Sequence, residues 1–162
     1  AIPLIERGLD LDPQNPSAYF DLGNARIMQG NLSAALTSFE RATTLKPDFW
    51  EALNNQALVL FELGDTKEAI RRWRRVLSLE ENAEPMLALA AALHQNKTRG
   101  DEAFNLANQA LAKEPNYVLE GHQTEQLWGV KIRNAAALLL QEPKLKAGVE
   151  RAKANATWMK RR

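Results

Sequence analysis

The chain has 162 residues, 45% hydrophobic and 25% charged, with 21 Lys+Arg against 20 Asp+Glu, so it is an ordinary globular composition with a formal net charge of +1. With no cysteine, thiol catalysis, thiolate metal sites and disulfides are excluded. No apolar run approaches the roughly 18 residues that span a bilayer, and no signal peptide is evident, so a soluble, cytoplasmic protein is expected. Ala and Leu dominate while Val and Ile are scarce, which predicts an all-helical chain.

In chain order the pattern predicts helices near residues 1–11, 16–29, 32–45, 49–62, 66–79, 84–95, 101–113, 123–141 and 144–160. Pro16 and Pro47 stand at or near helix starts, where a missing N–H costs nothing. Gly30-Asn31 and Gly64-Asp65 each pair a helix-ending glycine with a capping residue, and Glu68 three residues after Asp65 completes a capping-box pattern. The third break, Asn96 to Gly100, has its glycine displaced, so an irregular turn is expected there.

The helices repeat with a period of 34 residues. Ala35, Ala69 and Ala103 form one ladder; Ala42, Val76 and Ala110 another; Gly23, Ala57 and Ala91 a third that is always small. Small side chains at fixed positions let two helices cross closely, so the repeating unit is a helical hairpin. The stretch Tyr19-x2-Leu22-Gly23 followed by Ala35, Phe39, Ala42 and Pro47 resembles the tetratricopeptide repeat signature, W-x2-L-G-x2-Y, A-x3-F, P. Arg26 departs from its tyrosine, Gln56-Ala57 from its Leu-Gly, and Trp73 from its Phe. Residues 16–49, 50–83 and 84–117 read as three repeats, the last degenerate, and residues 1–15 as the second half of a preceding one. The sequence therefore begins mid-repeat and without Met, so it is expected either to be cut from a longer protein or to have had an upstream helix processed away.

Residues 118–162 leave the period, although Ala137 keeps a ladder position. Thr124 to Gln141 reads as one helix with apolar residues on more than one face, and Leu145, Val149, Ala152, Ala156 and Met159 as a single buried stripe. Such helices would cap the solenoid, the whole forming one domain. Glu125-Gln126-Leu127-Trp128-Gly129 and Glu142-Pro143-Lys144-Leu145 are similar to a C-terminal extension of cyanobacterial tetratricopeptide proteins.

No residues are expected to be catalytic and no metal or cofactor is expected, because His94 stands at a packing rung, His122 in a linker, and Glu80-Glu81 in a solvated turn. Arg71-Arg72-Trp73-Arg74-Arg75 has the composition of a nucleic-acid site, but Trp73 falls on a buried rung and Glu68 lies within one turn of two arginines, so a solvated, partly paired face is expected. In residues 143–162, Lys144, Lys146, Arg151, Lys153, Lys160, Arg161 and Arg162 oppose Glu150, seven cations against one acid, which leaves +6 there and −5 elsewhere. That end, with Trp158 off the stripe, offers an alternative function: contact with an anionic surface, a membrane or a nucleic acid.

The resemblance implies a right-handed superhelix whose concave groove holds a peptide or helix of a protein partner. Mapped by position, the groove residues are Phe20, Asn24, Ile27, Glu51, Asn54, Asn55, Leu58, Phe61, Ala88, Ala92 and Gln95. Asn side chains both donate and accept, suiting an extended backbone, and Phe20, Leu58 and Phe61 are expected to offer apolar pockets. The other reading of Asn54 and Asn55 is that they merely solvate the surface. Chaperone-binding members hold an acidic C-terminus in a clamp of cations and Asn; Asn24 and Asn55 match it, whereas Phe20, Pro85 and Leu89 replace its cations, so a chaperone cofactor is the alternative. Leu4, Ile5 and Leu9 are expected to pack on the next hairpin, leaving an apolar N-terminal edge through which the chain would self-associate.

Overall fold

The computed structural model describes residues 1–158; Met159 of the expected stripe and Lys160, Arg161 and Arg162 of the basic end lie outside the described residues. Among the described residues there are ten α-helices, two 3-10 turns and no strand, and the helices pack as hairpins. They form two compact units, Ala1–Leu79 and a second from Glu80 onward.

The first unit holds α1 (Ile2–Leu11), α2 (Pro16–Met28), α3 (Leu32–Leu45), α4 (Trp50–Glu62) and α5 (Thr66–Leu79), with α2–α3 and α4–α5 packed as antiparallel pairs. Their starts are chemical. Asn15 Oδ1 accepts the Ala18 N–H at 3.3 Å, Asn31 Oδ1 the Ala34 N–H at 3.2 Å, and Asp65 Oδ1 the Glu68 N–H at 3.2 Å. Their ends are chemical too. Gly30 and Gly64 adopt φ of 77° and 92°, and the N–H groups of Asn31 and Asp65 reach back to the carbonyls of Arg26 and Leu60 in paired Schellman turns. At the α2–α3 crossing a Cβ on Gly23 would stand 2.5 Å from the Phe39 ring, so only glycine fits. The core here is Ala35, Phe39, Ala42, Phe49, Ala52 and Val59. No residue of α1 is buried, and Leu4, expected to pack, is 73% exposed; the half-buried face of α1 is Ile2, Ile5 and Leu9 instead.

The second unit contains α6 (Ala83–Gln95), α7 (Gly100–Lys113), α8 (Glu120–Glu125), α9 (Val130–Leu140) and α10 (Lys146–Asn155), with 3-10 turns at Pro115–Val118 and Pro143–Leu145. Helix α6 is buried through most of its length up to Leu93, with α7 and α9 packed against it, while α10 packs on α7 and the first 3-10 turn. The three ladder alanines, Ala35, Ala69 and Ala103, are all 0% exposed. The turn after α6 is irregular as the sequence suggests: Lys97 and Arg99 both have positive φ, 53° and 49°.

Three expectations about the C-terminal part are corrected. The helix expected over 123–141 is two helices, because Leu127 takes φ 70° and the N–H groups of Leu127 and Trp128 bond the carbonyls of Thr124 and Gln123, ending α8 in a Schellman turn. The last helix stops at Asn155 rather than running to 160. Buried Asn116 accepts the N–H groups of both Thr157 and Trp158, each at 2.8 Å, and so holds the chain extended. Ala137 is exposed despite its ladder position, since α9 turns Ile132, Ala135, Ala136 and Leu139 inward.

Candidate functional site

Side-chain amides link the helices of the first unit. The indole N–H of Trp73 on α5 donates to Asn54 Oδ1 at 3.1 Å; Asn54 Nδ2 donates to Asn55 Oδ1 at 3.2 Å; Asn55 Nδ2 donates to Asn24 Oδ1 on α2 at 2.8 Å. Trp73 is 0%, Asn54 1% and Asn55 9% exposed, so neither Asn54 nor Asn55 merely solvates the surface. A buried amide needs partners for its oxygen and its N–H2, and each of these partly satisfies the next. The chain of bonds has a direction. Every oxygen in it is used, and it ends at half-buried Asn24, whose Nδ2 makes no hydrogen bond among the described residues.

Phe20, Asn24 and Ile27 recur at spacings of four and three along α2 and are all half-buried. Phe20 is held from behind by Phe49 at 5.2 Å and Phe39 at 6.0 Å between ring centroids. Glu51 is exposed at the start of α4. Leu58 and Phe61, expected to offer apolar pockets, are buried, with the Phe61 ring 6.0 Å from that of Trp73. Gln95 is exposed at the end of α6, in the second unit. Of the positions where a carboxylate clamp needs cations, Pro85 and Leu89 are buried.

The histidines have packing partners. His94 makes the helix contact expected from its rung, its ring 6.4 Å from that of Phe104 on α7, and its Nε2 also lies 2.9 Å from Glu142 Oε1. His122, expected in a linker, is buried on α8 with its ring edge-on to Tyr117 at 4.6 Å. Glu84, in the first turn of α6, accepts from the Tyr117 hydroxyl at 3.2 Å and the Trp128 indole at 3.1 Å. Burial first, and the Glu84 carboxylate second, push the Tyr117 phenol well above its ordinary range. These contacts fasten the C-terminal helices to α6. Trp158, expected as a free interfacial aromatic, bonds Glu125 Oε2 at 2.6 Å and lies against Gly121. Among the described residues no three His, Asp or Glu side chains gather as a metal site, and no helix is long and apolar enough to cross a membrane.

The tetratricopeptide repeat pattern matches residues 1–49, 20–77 and 54–118, and the chain belongs to that family. Its repeats generally serve as protein-interaction scaffolds. Superkiller complex protein 3 of Mus musculus is 29% identical over 87 residues, 54% of this chain but 6% of its own length. The tetratricopeptide repeat and J domain-containing co-chaperone DNJ1 of Cryptococcus neoformans var. grubii is 28% identical over 119 residues, 74% of this chain and 22% of its own length. The chain thus spans a small part of these curated relatives. Among solved structures, MamA superposes with a TM-score of 0.68 at 20% identity, over 95% of this chain and 89% of that one. TTC0263, a thermophilic TPR protein in Thermus thermophilus, gives 0.63 at 22% identity, over 86% and 72%. Both likenesses concern the fold.

Proposed function

We propose that the chain is a scaffold that binds a peptide or helix of a protein partner through the inner helices of its hairpins. The observation that carries this reading is the amide chain, which leaves Asn24 oriented with an unused N–H2 group on the same stripe as Phe20 and Ile27. A ligand carbonyl would accept from Asn24 Nδ2, and ligand side chains would rest on Phe20 and Ile27, with Glu51 on the following inner helix. Asn55, itself bonded to Asn54, holds Asn24 in that stripe, buried Leu58 and Phe61 belong to the same inner helix as Glu51, and exposed Gln95 gives the second unit a polar contact of its own on α6. The similarity to a co-chaperone does not favour a carboxylate clamp, since Phe20, Pro85 and Leu89 supply no cation.

The test is selection of a binding peptide from a random display library, followed by its titration into variants. Phe20→Ala and Asn24→Ala should each weaken it by roughly 5- to 30-fold, and the affinity should persist as salt rises, because the stripe holds no cation. If the selected peptides ignore both substitutions and instead dissociate with salt and with Lys153→Gln, the basic C-terminal segment is the binding site and this reading is wrong.

A further inference from the structure

A second polar feature of the first unit lies on the outer face of α5. Arg71, Arg72 and Arg75 fall within about 100° of arc on a 3.6-residue helix, and all three line a hollow of about 360 Å³ closed by Thr43, Pro47 and Leu53. That volume is at the small end of ligand-sized clefts, roughly 300–1,000 Å³. Glu68 is the acid on this arc: it pairs with Arg71 Nη1 and with Arg72 Nε, the latter at 3.3 Å. The Arg75 guanidinium makes no hydrogen bond or ion pair among the described residues. Three cations and one acid leave two positive charges facing one small hollow.

We propose that this hollow is a phosphate-monoester site for a phosphorylated side chain of a protein partner, separate from the peptide stripe on α2. Charge decides the class. A phosphomonoester carries −1.5 to −2 near pH 7 and three acceptor oxygens, which matches the +2 left after Glu68 and the forked donors of the arginines, whereas a carboxylate would neutralise half of it. Pro47 and Leu53 supply apolar contact for the carbon stem that bears the phosphate. Burial decides the carrier. Single-stranded nucleic acid binding couples guanidinium contacts to base stacking on an aromatic, but Trp73, the aromatic of this run, is wholly buried and bonded to Asn54.

The full chain is titrated by calorimetry with a phosphoserine pentapeptide of otherwise neutral sequence, its unphosphorylated twin, inorganic phosphate and a thymidine oligonucleotide. The phosphopeptide should saturate, its twin should not bind, and Arg75→Gln and Arg72→Gln should each weaken binding by about tenfold. Glu68→Gln should tighten it several-fold by releasing two guanidiniums, a gain that a misfolded variant cannot give. Below about pH 6, where the phosphate takes up its second proton, affinity should fall. The proposal is overturned if the phosphopeptide gives no saturable heat, if it binds no better than inorganic phosphate, or if Arg75→Gln leaves it unchanged. It is equally overturned if the oligonucleotide binds more tightly than the phosphopeptide with the same dependence on Arg75.

Discussion

Asn55 donates to Asn24 at 2.8 Å across 31 residues of sequence, joining the inner helices of two successive hairpins by a single directed bond. Because Asn55 Oδ1 is already taken by Asn54, and Asn54 Oδ1 by Trp73, the amide of Asn55 cannot flip without breaking its bonds to both Asn54 and Asn24. The orientation of Asn24 is therefore set three side chains away, by an indole on α5.

Removing the middle of this chain should cost stability before it costs binding. Asn54→Ala leaves the buried Trp73 indole N–H without its acceptor, and a loss of roughly 1–3 kcal/mol is expected in urea denaturation. In a double-mutant cycle with Trp73→Phe the two losses should not add, since each variant removes the same bond. Additive losses would show that the bond contributes nothing and that only the volumes matter.

At the α2–α3 crossing the expected effect comes from volume alone. Gly23→Ala places a methyl 2.5 Å from Phe39 and should destabilise by roughly 1–3 kcal/mol. Shortening the ring in Gly23→Ala/Phe39→Leu should recover part of the loss, measured as the midpoint of chemical unfolding. If the single variant is as stable as the natural chain, the helices can slide apart freely and the ladder of small residues has no steric basis.

The hairpins were legible because their signals are local: Gly30, Gly64, Asn31 and Asp65 each act within a few residues of themselves. The 34-residue ladders made Ala35, Ala69 and Ala103 readable as buried for the same reason of strict spacing. What the sequence hid is tertiary. Neither Lys97 nor Leu127 is a residue type that announces a left-handed backbone, so the path of the turn after α6 and the break between α8 and α9 could not be read. Asn116 looks like any turn residue, yet it holds the chain just beyond the last helix, 41 residues later. At the candidate site, the positions of Asn54 and Asn55 were readable, but their burial and mutual pairing depend on Trp73 and Asn24, at separations no local pattern links.

The third hairpin turn offers a stabilising change. The ladder puts Thr98 where Gly30 and Gly64 stand, but the helix ends one residue early, and exposed Lys97 takes the left-handed role at φ 53°. A non-glycine residue there costs roughly 1–2 kcal/mol, of which glycine's greater unfolded-state freedom returns about half. Lys97→Gly should therefore stabilise the chain by roughly 0.5–1 kcal/mol, seen as a higher denaturation midpoint with unchanged slope. A lower midpoint would mean that the Lys97 side chain makes a contact outweighing its strain.

On α1, Leu4 and Leu11 are 73% and 85% exposed and, seven residues apart, lie on one stripe. Concentration-dependent self-association through this edge is expected in sedimentation velocity, and Leu4→Glu/Leu11→Glu should abolish it. A monomer at millimolar concentration would refute the expectation.

The alkaline side of the stability curve should belong to Tyr117. Its phenol is buried and donates to the Glu84 carboxylate, so ionising it in the folded chain would place two negative charges together in a poorly solvated site, and the folded pKa is raised. In the unfolded chain a tyrosine ionises near pH 10, as usual. Below that pH both states hold the proton and stability is independent of this group. Above it the unfolded chain releases the proton while the folded chain keeps it, so stability falls as pH rises. Each pH step of one unit beyond about 10 should cost about 1.4 kcal/mol, until the folded phenol itself titrates. Tyr117→Phe should be less stable than the natural chain at pH 7, through loss of the bond to Glu84, but should show a shallower decline between about pH 10 and 11.5. Parallel curves for the two proteins over that interval would show that the Tyr117 phenol ionises as readily folded as unfolded, and the Glu84–Tyr117 bond would then not be what seals the C-terminal helices onto α6.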